Sequence, residues 1–407
     1  MPVLLLTRKV QAAKTACMDL EPFIRRLHDT PHRFVLAATG GGSAAFSHLL
    51  TVPGASRTVL EATVPYASAA LVEWLGARPE SFCSLRTARL MAMAGYRRGL
   101  RLAEAEPLLA DAPVAADSPV AGVGCTCSLA SDRKKRGPHR AHLAVQTAQF
   151  TETQSLDLVK DQRTRKAEEE LVARWMLNVV AEVSGIEERL ELGLLPGERI
   201  EVVRTNARPA WQGLLSGAVS AVWHRGTESG PLDARPRAMR GLFPGAFNPR
   251  HEGHDGMHEV AERLLAGPVD CELSVTNVDK PSLDFTEMAA RLALFSADHV
   301  VWLTRAPTFV EKSRLFPGVT FVVGADTITR IGEPRYYGGD PAARDRAIAE
   351  IAGAGCRFLV FGRQTEQRFE TLDALVLPAA LRSLCTGVAE ADFREDISST
   401  ELRRRDA

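Results

Sequence analysis

The segment Gly241-Leu-Phe-Pro-Gly245-Ala-Phe247-Asn-Pro-Arg-His251-Glu-Gly-His254 sets two imidazoles three residues apart behind an apolar run. The residues that follow, HDGMHEVAERLL, repeat their apolar positions at about 3.6 residues, so a helix begins here and His251 and His254 share one side of its entrance. The free N–H groups and dipole at a helix start favour a bound phosphate. Two imidazoles beside them can donate hydrogen bonds to oxygens that gain charge during phosphoryl transfer. Gly253 between them removes the side chain that would block a triphosphate. Other readings of these residues remain open. Histidines cluster on helix surfaces without function, and His254 with His258 at i,i+4 could hold a metal, although Glu252 is misplaced for a His-Glu-x-x-His site. A dinucleotide loop needs Gly-x-Gly-x-x-Gly, which is absent.

Near the other end of the chain, Asp396-Ile397-Ser398-Ser399-Thr400-Glu401-Leu402-Arg403 places three hydroxyls where a helix would begin. One hydroxyl suffices for an N-cap. Three in a row, with Arg403 a turn later, suit a phosphate cradle whose charge the guanidinium offsets. Together the two segments resemble the HxGH nucleotidyltransferase superfamily, whose signatures are GxFxPxHxGH and ISSTxxR; both are present without substitution. Phe321-Val-Val-Gly324-Ala-Asp326 looks like the family's strand ending in Gly-x-Asp. Phe358-Leu-Val-Phe-Gly-Arg363 looks like its later strand ending in Arg, and Asn277…Lys280 is similar to the segment after its second strand. Glu287…Arg291 falls on the helix that follows. The resemblance covers about 165 residues, in the family's order, and is nearest to the nicotinate or nicotinamide mononucleotide adenylyltransferases.

That resemblance implies a Rossmann-like parallel sheet with ATP across the strand ends. It implies catalytic roles for His251, His254 and Arg403, and nucleotide contacts from Gly245, Phe247, Gly324, Asp326, Arg363, Ser398, Ser399 and Thr400. Asn277, Lys280 and Trp302 fall on the acceptor side, although a tryptophan such as Trp302 is more often core. Mg²⁺ would bridge the phosphates. The acceptor could instead be a phosphopantetheine-like molecule or a phosphoalcohol with CTP, or the domain could be a non-catalytic nucleotide-binding regulator.

Upstream, RFVLAATGGGS passes from a buried strand into a Gly-rich turn, the usual opening of an α/β unit. Thr39-Gly40-Gly41, Val52-Pro-Gly-Ala-Ser56, Val64-Pro-Tyr66, and Gly122-Val-Gly-Cys-Thr-Cys-Ser before Gly137-Pro-His139 resemble the C-terminal domain of the CinA family, which includes nicotinamide-nucleotide amidohydrolases. Two departures stand out. Family hydrolases read Glu-Ser-x-Thr-Gly-Gly with the serine as nucleophile, and Ala37 stands at that serine. A lysine expected after the tyrosine aligns with Leu71. An alanine cannot attack a carbonyl, so this domain is expected to keep its fold without hydrolysis, Ser43 being the one substitute hydroxyl nearby.

The elements that must position these groups alternate along the chain. Helix-like LEPFIRRLHDT, strand-like RFVLAAT and TVLEATVPY, and the helices AALVEWLG and SLRTARLMAMAGYRRGLRLA precede the strand AHLAVQTAQF and the helix RKAEEELVARWMLNVVAEVSGI, whose Leu171, Trp175, Val179 and Val183 share a face. This predicts two α/β domains, residues 20–190 and 240–407, joined by 191–239, in which ERIEVVRT and GAVSAVWH are possible strands and the Gly- and Pro-rich HRGTESGPLDARPRAMR reads as linker. At 407 residues, length favours two domains as well. With 45% hydrophobic and 25% charged residues the chain is of ordinary globular type. Its 50 basic and 50 acidic residues cancel, giving no field toward nucleic acid or membrane. Arg133-Lys134-Lys135-Arg136 is then a solvated loop. Cysteines at 17, 83, 125, 127, 271, 356 and 385 form no disulfide or zinc framework, in keeping with a cytoplasmic protein. Small-molecule nucleotides are the expected partners, with a homo-oligomer left open.

Overall fold

The computed structural model describes residues 6–10, 19–105, 118–132, 136–276, 281–364 and 369–394. The chain divides into two compact units: Pro2–Arg208 with Asp279–Glu287, and Pro209–Val278 with Met288–Ala407. Both are α/β, and the second carries a Rossmann-like, mainly parallel sheet.

In the first unit, strands β1 (Leu6–Val10), β2 (Arg33–Thr39), β3 (Val59–Thr63), β4 (Val120–Ser128), β5 (His139–Gln146), β6 (Phe150–Leu158) and β7 (Ile200–Asn206) lie in the order β1-β7-β6-β5-β4-β2-β3. The pairs β2–β3 and β2–β4 are parallel and the others antiparallel. Helices α1 (Leu20–His28), α2 (Ala44–Thr51), α3 (Ala55–Thr58), α4 (Ser68–Leu75), α5 (Leu85–Ala105) and α6 (Arg165–Val183) complete it. Thr164 caps α6 by accepting from the Ala167 N–H at 3.2 Å, and Leu171, Trp175 and Val179 are buried as their spacing predicts. Close approach of α5 to β4 depends on glycine. A Cβ on Gly122 would lie 2.1 Å from the Ala92 carbonyl oxygen, and one on Gly124 2.3 Å from that of Ala88.

One strand is less obvious from its composition. The expected strand AHLAVQTAQF is broken by a turn, where the Thr147 N–H donates to the Phe150 carbonyl at 3.0 Å, and β6 then returns antiparallel. Four of its buried residues, Thr151 to Gln154, are polar, which hides the first half of the strand from a hydrophobic pattern. Gln154 accepts from the Trp175 indole at 2.6 Å, and Glu152 accepts from Arg204 at 2.6 Å, so the buried groups are satisfied by partners distant in sequence.

The second unit contains β8 (Ala221–Arg225), β9 (Glu228–Pro231), β10 (Gly241–Pro244), β11 (Val269–Ser274), β12 (Val301–Thr304), β13 (Thr320–Gly324), β14 (Arg357–Phe361), the small pair β15 (Arg363–Gln364) and β16 (Phe369–Glu370), and β17 (Cys385–Gly387). Its helices are α7 (Pro209–Ser216), α8 (Glu252–Leu265), α9 (Phe285–Leu292, whose start to Glu287 is counted with the first unit), α10 (Phe309–Leu315), α11 (Ala325–Gly332), α12 (Pro341–Gly353) and α13 (Ala379–Arg382). The large sheet runs β17-β14-β13-β10-β11-β12-β8-β9. Its first six strands are parallel, and β8 and β9 extend it as an antiparallel edge.

The segment 191–239, read from sequence as a connection, therefore contains β7 of the first sheet and α7, β8 and β9 of the second unit. Its tryptophans tie it into the sheet: Trp223 lies opposite Trp302 across β8 and β12, and Trp211 is fully buried with its indole donating to His224 at 3.0 Å.

The parallel strands follow the doubly wound order, in which β10 and β13 are neighbours while their crossovers leave in opposite directions. In this order the loops leaving the carboxyl ends of these two strands diverge, the place where such sheets generally form a ligand crevice. The predicted His pair follows one strand and Gly324-Ala325-Asp326 follows the other.

Candidate active site

Past Pro244 the chain turns through Gly245 and Phe247 into α8, with His251 as N-cap and His254 in the first turn. The Gly245 N–H donates to the Glu272 carbonyl on β11 at 2.9 Å. A Cβ at Gly245 would sit 2.7 Å from the Phe247 ring, so the glycine makes room for that side chain. Phe247, at φ +44°, lies with its ring 5.1 Å from that of His254 and 5.1 Å from that of Phe295. Its ring is 1% exposed and backs the histidine; the nucleotide contact expected of Phe247 is not one its side chain makes in this arrangement.

The rings of His251 and His254 are 3.8 Å apart, tilted by 38°. The His251 N–H donates to Nδ1 of His254 at 3.3 Å. Nδ1 is thus the acceptor, and the neutral ring carries its proton on Nε2, as a donor. Burial, reinforced by His251 and Arg250 against an opposing pull from Asp255, lowers the His254 pKa to about 4. At neutral pH this helix start therefore presents an uncharged imidazole N–H together with the free amides of the first turn.

Two arginines hold the loop from outside. Arg291 on α9 donates to the Ala246 carbonyl at 2.8 Å. Arg250 donates to Asp255 at 2.6 Å and to the Leu294 carbonyl at 3.2 Å. Arg250 occupies an unspecified position of the motif, and no spacing rule marks it as important.

Across the crevice, Gly324 caps α11 and has open space where a Cβ would be. Asp326 and Arg363 are brought together as an ion pair, both half exposed. They border a hollow of about 490 Å³ whose wall includes Thr329, Arg330, Leu375 and Val376, the last 97% exposed. This is an open, charged surface at the ends of β13 and β14, able to meet an anion and a flat apolar group together.

Trp302 is placed differently from its acceptor-side expectation. It is fully buried, its indole donating to Asp270 at 2.9 Å and its ring against Phe316. Neighbouring Thr304 is also buried and donates to Glu272, which takes both oxygens' worth of pairing from Lys312 at 2.8 Å. These residues support the sheet from within. Asn277, Lys280, Ser398, Ser399, Thr400 and Arg403 lie outside the described residues.

In the first unit, Gly40 turns at φ +76° with the Cys127 carbonyl oxygen 2.1 Å from where a Cβ would be. Ala37 and Leu71, the two departures from the hydrolase pattern, fall in one apolar cluster with Leu75 and Met91. Both positions are thus lined by hydrocarbon. Ser43 is exposed and donates to Glu169 at 3.1 Å; Glu169 also accepts from the Ala44 N–H and faces Arg165.

The fold and site thus define a two-domain α/β protein with a crevice at the switch point of its parallel sheet. No protein-family model and no curated protein matches the sequence. Among solved structures, the chain is similar to a competence-damaged protein (CinA) superfamily protein from Escherichia coli, at 17% identity over 43% of this chain and 94% of that one, with a TM-score of 0.31. A CinA superfamily protein from Enterobacter cloacae gives 15% identity, 43% and 98% coverage, and a TM-score of 0.31. A competence/damage-inducible protein from Agrobacterium tumefaciens gives 21%, 31%, 73% and 0.23.

Proposed function

We propose that the second unit is a nucleotidyltransferase that moves the adenylyl group of ATP to nicotinamide or nicotinate mononucleotide. The observation that carries this reading is the neutral His254 beside His251 at the start of α8, next to the β10–β13 crevice. A phosphate oxygen of the acceptor attacks the α-phosphorus, the bond to the bridging oxygen breaks, and pyrophosphate leaves. No covalent enzyme intermediate is required, so positioning and charge stabilisation supply the rate. The imidazole donors and helix amides offset charge on the transferred phosphoryl oxygens, and Arg363 and Arg330 lie where a second anionic or ring-bearing group would be received. Mg²⁺ comes with the triphosphate as part of the substrate. Among the described residues no cluster of three or more His, Cys, Asp or Glu could cage it alone.

The test follows pyrophosphate release with ATP or CTP against a panel of acceptors: the two pyridine mononucleotides, phosphopantetheine and simple phosphoalcohols. Release with ATP and a pyridine mononucleotide is expected, and His251→Ala or His254→Ala should lower turnover about a hundredfold or more while the fold is kept. Near-normal turnover in both variants, or nucleotide binding without release for every acceptor, would overturn the reading; the latter result would favour a regulator.

A further inference from the structure

We propose that Arg250, held by His299, is a positioning residue that fixes the loop from Phe247 to His254 against the start of α8. Its catalytic consequence rests on the adenylyl-transfer reading; its structural consequence does not.

The Arg250 side chain is only 12% exposed. Its Nε donates to Asp255 at 2.6 Å and Nη1 to the Leu294 carbonyl at 3.2 Å, while Nη2 is 2.9 Å from Nε2 of His299. A guanidinium can only donate, so Nε2 of His299 must accept. The imidazole proton is then on Nδ1, which faces Ser296 Oγ at 2.7 Å. The guanidinium also covers the Phe295 ring at 4.6 Å. Phe295 meets Phe247 edge-on and Phe247 backs His254. A continuous set of contacts thus runs from His299 through Arg250, Phe295 and Phe247 to His254, and the same arginine directly precedes His251.

The clamp works only while His299 is neutral. A proton on Nε2 would turn the acceptor into a donor facing a donor, and place two cations in contact. The charged and titratable groups around this ring are Arg250 from the loop, Asp255, His258, Glu259 and Glu262 from α8, and Asp298 beside it in the chain. Burial first, then Arg250 and His258, lower the pKa of His299 below its ordinary 6.5, with Asp255 and Glu262 opposing. The clamp is therefore complete above about pH 6.5 and is lost as pH falls through the lowered value. A hollow of about 470 Å³ between α8 and residues 294–299 gives solvent access to the ring.

The test uses the full chain, with amide exchange of residues 246–254 and steady-state kinetics measured from pH 5 to 8. Arg250→Ala should speed exchange in that loop about tenfold or more at pH 7.5. Amides of β13 should stay protected, while kcat falls about tenfold and the nucleotide KM moves less than about threefold. His299→Gln keeps an accepting oxygen and cannot titrate, so it should match the wild type at pH 7.5 and diminish the loss of loop protection that the wild type shows as pH falls. Unchanged loop exchange in Arg250→Ala, or an undiminished acid loss in His299→Gln, would overturn the proposal. If Arg250→Ala also exposes β13, the His299→Gln comparison decides. Should no acceptor release pyrophosphate while the exchange pattern holds, the transfer reading fails and the clamp stands; turnover with unaltered exchange gives the reverse.

Discussion

At the scale of single residues, burial sets the charge of His254. A charged imidazolium would be held back by burial, by His251 and by Arg250, which is why its pKa falls to about 4. NMR titration of the ring should find it neutral down to about pH 4.5; a midpoint above 6 would contradict the burial described. Because the folded pKa is depressed, the histidine's contribution to stability is complete above about 6.5 and lost as pH falls through about 4. Residues also decide the first unit. Leu71 is 2% exposed beside Ala37, so Leu71→Lys should cost several kcal/mol, about 3 or more, in urea unfolding, because an unpaired ammonium would be buried. Ala37→Ser alone should release no ammonia from nicotinamide mononucleotide, and measurable release would restore the hydrolase reading.

Among elements, β11 links the site loop to the interior. Its Glu272 offers a carbonyl to Gly245 while its carboxylate is buried against Lys312 of α10 and Thr304 of β12. Lys312→Met should remove about 3–5 kcal/mol in denaturant unfolding, since Glu272 would be left charged and unpaired. Replacing both partners by apolar residues should recover most of that loss, and failure to recover it would mean that the pair does more than neutralise itself. The elements were largely legible beforehand: α6 by its apolar spacing, β2 by its apolar run, α8 by its period after Gly253. Strand β8 is legible as a possible strand in GAVSAVWH, but β6 is not, because its polar residues Thr151 to Gln154 are buried and find partners only in the fold, as Gln154 does in Trp175.

For the molecule as a whole, the described residues include no helix long and apolar enough to cross a membrane. If the transfer reading is right, Mg-ATP should slow amide exchange in Pro209–Val278 and Met288–Ala407 and leave the first sheet unchanged. Protection of the first unit instead would assign the nucleotide to the loop around Gly40. The sequence by itself determined the α/β class and the helix that starts at the His pair, because each depends on local spacing. Only the tertiary structure decided that β10 and β13 adjoin, that Trp302 and Phe247 turn inward, that Ala37 meets Leu71, and that Arg250 reaches His299. Those facts depend on sheet order and on contacts between residues far apart in the chain, which no local pattern encodes.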